Sequence, residues 1–81
     1  MPFAQTLNTP NKKEWGTSIK NYKVYVFLEK KNSNYEVQYE IYEEFHDMKS
    51  LKFKKSYVLD NEKAALEKVE EVKKKLIRLL V

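Results

Sequence analysis

The feature that most constrains this chain is the stretch 22–45, in which two runs of strict alternation flank a short polar cluster. Val24, Val26 and Leu28 recur at every second position of the first run, against Lys23, Tyr25, Phe27 and Glu29. Val37, Tyr39 and Ile41 do the same in the second run, with Phe45 on their face beyond Glu43, against Glu36, Gln38, Glu40, Tyr42 and Glu44. A period of two places each set on one face of a pleated strand, and Val, Ile, Tyr and Phe suit such a surface. Asn32, Ser33 and Asn34 lie between the runs, and Asn readily bonds its own backbone and tolerates positive φ. The stretch predicts a β-hairpin.

Charge pairing suggests its register. With Ser33 and Asn34 as a two-residue turn, Lys31 falls opposite Glu36, Tyr25 opposite Tyr42 and Lys23 opposite Glu44. Moving each arm by one residue sets Glu29 against Glu36, a like-charge pair, so the first register is expected. A slip by an odd number would turn the apolar face to water. On the face away from Val24 and Ile41, Tyr25, Phe27 and Tyr42 form an aromatic group with two readings. It either packs under a further element or offers a platform on which unpaired bases stack. The glutamates among these rings oppose phosphate.

The rest of the chain is read around this hairpin. Residues 1–13 hold Pro2, Pro10 and the pair Lys12-Lys13 without periodicity, and read as a flexible N-terminal arm that Phe3 and Leu7 pin to the body. Trp15, Thr17 and Ile19 alternate with Gly16, Ser18 and Lys20 as a short first strand, with Trp15 either a core anchor or a stacking surface. Leu51 and Phe53 alternate with Lys52 and Lys54 in a further strand over 51–59. Lys55 breaks the pattern, and a bulge there would gather Lys52, Lys54 and Lys55 on one accessible edge. That edge has two readings: a strand guarded by lysines against aggregation, or a line of phosphate contacts. Asp60 or Asn61 caps a final helix over 62–80. Its apolar stripe is Leu66, Val69, Val72, Leu76 and Leu80, widened by Ala65, Ile77 and Leu79. Glu70-Lys74 and Glu71-Lys75 stand at supportive spacing, and the helix turns from acidic to basic along its length. The expected fold is a single α+β domain over 14–81: an antiparallel four-stranded sheet, then one helix that dimerises the chain.

Composition narrows the function. Eighty-one residues without cysteine hold neither disulfide nor thiolate-bound zinc, so stability must come from packing or from a second copy. The absence of cysteine fits a reducing, cytoplasmic setting. No apolar run reaches the ~18 residues of a membrane span, and residues 1–7 lack the pattern of a signal peptide. Sixteen basic and twelve acidic residues leave +4, an excess compatible with nucleic acid. The single histidine, His46, lies near Glu43, Glu44 and Asp47 without ligand spacing, and neither a catalytic triad nor a glycine-rich phosphate loop is present. No enzyme, metal, cofactor or small-molecule substrate is expected.

The run Ile41, Tyr42, Glu43, Glu44, Phe45, followed by Leu51 to Leu59 and then Glu62, resembles the positive-cofactor-four family of single-stranded-DNA-binding transcription coactivators. Ile41, Glu43, Phe45, Leu51, Lys52, Lys54, Lys55, Leu59 and Glu62 match the pattern of that family. Tyr42 stands where the family has Arg, Ser56 where it has Gly, and Ala64 where it has an aromatic residue. The resemblance implies a homodimer of curved four-stranded sheets with the helix at the interface, gripping unpaired strands through lysines and aromatics. Together these features predict a non-enzymatic protein that binds single-stranded DNA or RNA with little sequence preference, in a transcription- or replication-associated role. The candidate contacts are Lys23, Tyr25, Phe27, Tyr42, Lys52, Lys54 and Lys55. The alternative is a small dimeric interaction or inhibitor module using its acidic hairpin.

Overall fold

The computed structural model describes residues 3–81; Met1 and Pro2, the first two positions of the expected arm, lie outside the described residues. Five strands form one antiparallel sheet: β1 (Ala4–Asn8), β2 (Lys12–Ile19), β3 (Tyr22–Lys30), β4 (Tyr35–Phe45) and β5 (Met48–Leu59). They lie side by side in chain order. The helix α1 (Glu62–Leu80) packs on one face, across β3, β4 and β5. Strands of eleven and twelve residues, each rising about 3.3 Å, make the molecule long, at 41 × 22 × 19 Å. Among the described residues no helix is long and apolar enough to cross a membrane.

The sheet therefore has five strands where four were expected, and the extra strand comes from the segment read as an arm. Ala4 pairs with Gly16 and Gln5 with Trp15; after a register shift, Leu7 pairs with Glu14. Thr9 makes the return possible: its hydroxyl donates to the Lys12 carbonyl at 2.8 Å and accepts from the Lys12 amide at 3.0 Å. Pro10, one residue on, suits such a tight turn. Phe3 packs against the core, as the anchoring role expected of it requires. The short run 4–8 escapes notice because it is largely exposed and its alternation carries little apolar contrast.

The hairpin forms, but in the register that opposes Glu29 to Glu36 and Lys23 to Tyr42. The turn holds four residues, 31–34, closed by the Lys31 amide donating to the Asn34 carbonyl at 2.8 Å. Lys31 removes the objection to this register. Its Nζ lies 3.1 Å from Glu29 and 3.8 Å from Glu36, so one ammonium sits between the two carboxylates. The hydrogen bond to Glu29, first, and the charge of both glutamates raise the Lys31 pKa above its ordinary value. The shift from the expected register is even, so each residue keeps its face.

The core lies between sheet and helix. Val24, Val26, Leu28, Val37, Tyr39 and Ile41 meet Ala65, Val69, Val72 and Leu76 there. Trp15 joins them from β2 at 8% exposure, which makes it a core anchor and removes it as a stacking surface. The Asn61 side chain, rather than Asp60, caps the helix, accepting from the Ala64 amide at 2.8 Å. The buried stripe is spent on the chain's own sheet. Leu66 and Leu79, expected within the stripe, are exposed. The expected i,i+4 pairs give way to Lys68–Glu71 and Glu70–Lys73, at 3.1 and 3.0 Å. Both lysines lean over aromatic rings at the flanks of the helix, Lys68 over Tyr57 at 4.7 Å and Lys73 over Trp15 at 4.6 Å.

Candidate nucleic-acid interface

The face of the sheet turned away from α1 is formed by the second set of alternating positions. Tyr25 and Phe27 come from β3, with ring centroids 6.3 Å apart and planes 23° from parallel. Tyr42 comes from β4 and meets Tyr25 edge-on at 5.8 Å. All three rings are half-buried. The sequence places no side chain beneath part of this group, because Gly16 of β2 lies opposite Tyr25. A Cβ built on Gly16 would meet the Tyr25 ring at 3.5 Å, so the ring lies against the space that a side chain at this position would fill. At these separations the rings touch one another. The group offers ring faces in two orientations, one shared by Tyr25 and Phe27 and the other that of Tyr42.

Lysines surround the rings. Lys23, opposite Tyr42, donates to the Ser18 hydroxyl at 2.9 Å. Lys49 of β5 lies over two rings, 5.4 Å from the centroid of Tyr25 and 5.1 Å from that of Tyr42. It also donates to the Tyr25 hydroxyl at 3.3 Å. Lys54 pairs across the ladder with Glu40, 3.9 Å from its carboxylate. Glu40 also accepts from Tyr42 at 2.9 Å and from Gln38 at 3.0 Å. The bond from Tyr42 to that carboxylate, more than burial, raises the phenol pKa above its ordinary value.

The structure brings together Lys23, Tyr25, Phe27, Tyr42 and Lys54, but it divides the expected lysine edge. The bulge in β5 falls at Lys52, not at Lys55: Ile41 pairs with Phe53 and Tyr42 with Leu51, leaving Lys52 as the extra residue. Lys52 turns to Glu43 at 3.4 Å. Lys55 shares the face of Phe53 and Tyr57, and its Nζ is 5.3 Å from the Tyr57 centroid. Lys52 and Lys55 thus stand apart from the aromatic platform. Lys49 was missed by sequence reasoning. The turn at His46 and Asp47 carried the missing signal, because counting from a two-residue turn puts Lys49 opposite Glu44, on the face of Tyr42.

Farther along the same face the charge reverses. Glu29, Glu36 and Glu40, with Lys12, Phe27 and Gln38, line a concavity of about 230 Å³. Among the described residues no three His, Asp or Glu side chains converge to hold a metal ion. Compared with known proteins, no family model, curated protein or solved structure matches the chain.

Proposed function

We propose that the protein is a non-enzymatic binder of single-stranded nucleic acid with little sequence preference, acting through the open face of its sheet. The observation that carries the reading is the contiguous group Tyr25, Phe27 and Tyr42 with Lys23, Lys49 and Lys54 around it. Rings of this kind accept any base, since every base has a π face, while ammonium groups meet the backbone phosphates. The family resemblance drawn from residues 41–62 points the same way.

The test is fluorescence anisotropy of labelled oligo-dT at low ionic strength. Three phosphate contacts predict that log K falls against log salt with a slope of about −2. Tyr25→Ala should weaken binding by about 1–3 kcal/mol, and Lys49→Glu should weaken it while flattening the salt slope. Lys52→Glu should matter less than either. An oligo-dT that does not bind at low salt overturns the reading.

A second reading has an observation of its own. The concavity lined by Glu29, Glu36 and Glu40 suits a basic group of a protein partner. It predicts that Glu36→Lys abolishes an interaction that Tyr25→Ala leaves intact.

A further inference from the structure

The open face leaves Lys52 and Lys55 without a role, and both belong to the one long strand at the border of the sheet. Strand β5 has β4 along one side and, among the described residues, no strand along the other. Residues 48–56 are exposed throughout. The strand carries Lys49, Lys52, Lys54 and Lys55 and no acidic residue. Phe53 and Val58 stay 51% and 66% exposed, so apolar side chains stand beside the lysines, one on each face of the sheet.

The geometry points to this border of β5 as a docking edge for an extended acidic peptide that adds a sixth strand. The edge offers main-chain donors and acceptors for a ladder. Its side chains call for acids interspersed with apolar residues. The strand already pairs with such a sequence on its other side. Strand β4 brings Glu36, Glu40, Glu43 and Glu44 among Val, Ile and Tyr, and its Glu40 and Glu43 lie within 4 Å of Lys54 and Lys52. A second copy is the poorer occupant, because antiparallel pairing of β5 with itself brings together two strands that carry four lysines each and no acidic residue. A nucleic-acid strand meets the lysines but lacks alternating N–H and C=O groups to continue the ladder.

The experiment uses the full chain, isotope-labelled, with a fluorescent peptide copying Tyr35–Phe45. Controls are the same peptide with its four glutamates changed to lysine, and two peptides N-methylated at alternate residues in opposite phases. Binding at low salt should shift the amides of 53–58. One N-methylated phase should lose affinity and the other keep it, because only alternate amides of an added strand face β5. The double variant Lys52→Glu/Lys55→Glu should lose about tenfold in affinity, with circular dichroism unchanged. Absence of binding, equal behaviour of the two phases, shifts in β3 that signal strand exchange, or displacement of the peptide by oligo-dT would each overturn the proposal. Peptide is read at the β5 amides and oligo-dT at the Tyr25 and Tyr42 rings, so either can fail while the other stands.

Discussion

Glu40 holds three partners on the open face, the Tyr42 hydroxyl, the Gln38 amide and the Lys54 ammonium. A carboxylate engaged in this way repels a phosphate less than a free one, which eases its presence beside an aromatic platform. It also leaves a titratable signature. Tyr42 ionises above the ordinary phenol range, chiefly because it donates to Glu40. Tyr39 is displaced the same way, chiefly by burial. Both folded-state values exceed the unfolded ones. Their contribution to stability is therefore complete below about pH 10 and is lost as pH rises through the folded values. Lys31, held by Glu29 and Glu36, acts in the same direction. Tyrosinate absorbance followed through an alkaline titration should show Tyr39 and Tyr42 ionising above the ordinary phenol range. In Glu40→Gln, Tyr42 should return toward the ordinary range while Tyr39 stays displaced. An unchanged titration in that variant would mean that the Tyr42–Glu40 bond is absent in solution.

Among the elements, the helix divides its leucines between two environments. Leu76 is fully buried against the sheet, whereas Leu79 remains 64% exposed. Leu76→Ala should cost about 2–4 kcal/mol, and Leu79→Ala about 0.5 kcal/mol or less, as measured by urea unfolding. Equal costs would show that Leu79 is covered in solution. The helix, β3 and β4 were legible because their apolar periods are long and clean, and the aromatic face followed from the same alternation. Besides β1, two things were not legible. The register depended on Lys31, whose reach to both Glu29 and Glu36 is invisible to a rule that compares residues directly opposite. The lysines of β5 were misassigned because one inserted residue reverses the facing of everything beyond it, and their alternation fits a bulge at either Lys52 or Lys55. At the turn of that hairpin, His46 and Asp47 both hold positive φ, 50° and 65°, without a glycine. Their residue types thus understated how tightly β4 and β5 are joined.

At the scale of the whole molecule, each strand pairs with its neighbours in sequence, and one helix closes one face. Meanders of this kind need few long loops to close, which favours a single cooperative transition. The covered face supplies stability, and the open face is the one to which the proposed binding is assigned. Trp15 sits at the seam of the covered side, packed in the core and capped by the Lys73 ammonium. As the only tryptophan in the chain, it is an intrinsic probe of helix docking. Its emission should change when α1 leaves the sheet and stay nearly constant when a ligand settles on Tyr25 and Tyr42. Emission and far-ultraviolet dichroism should superimpose through thermal unfolding; an emission change that comes first would reveal a helix that detaches while the sheet persists. The burial that removes Trp15 from base stacking thus turns it into an optical gauge of the fold, readable without any label.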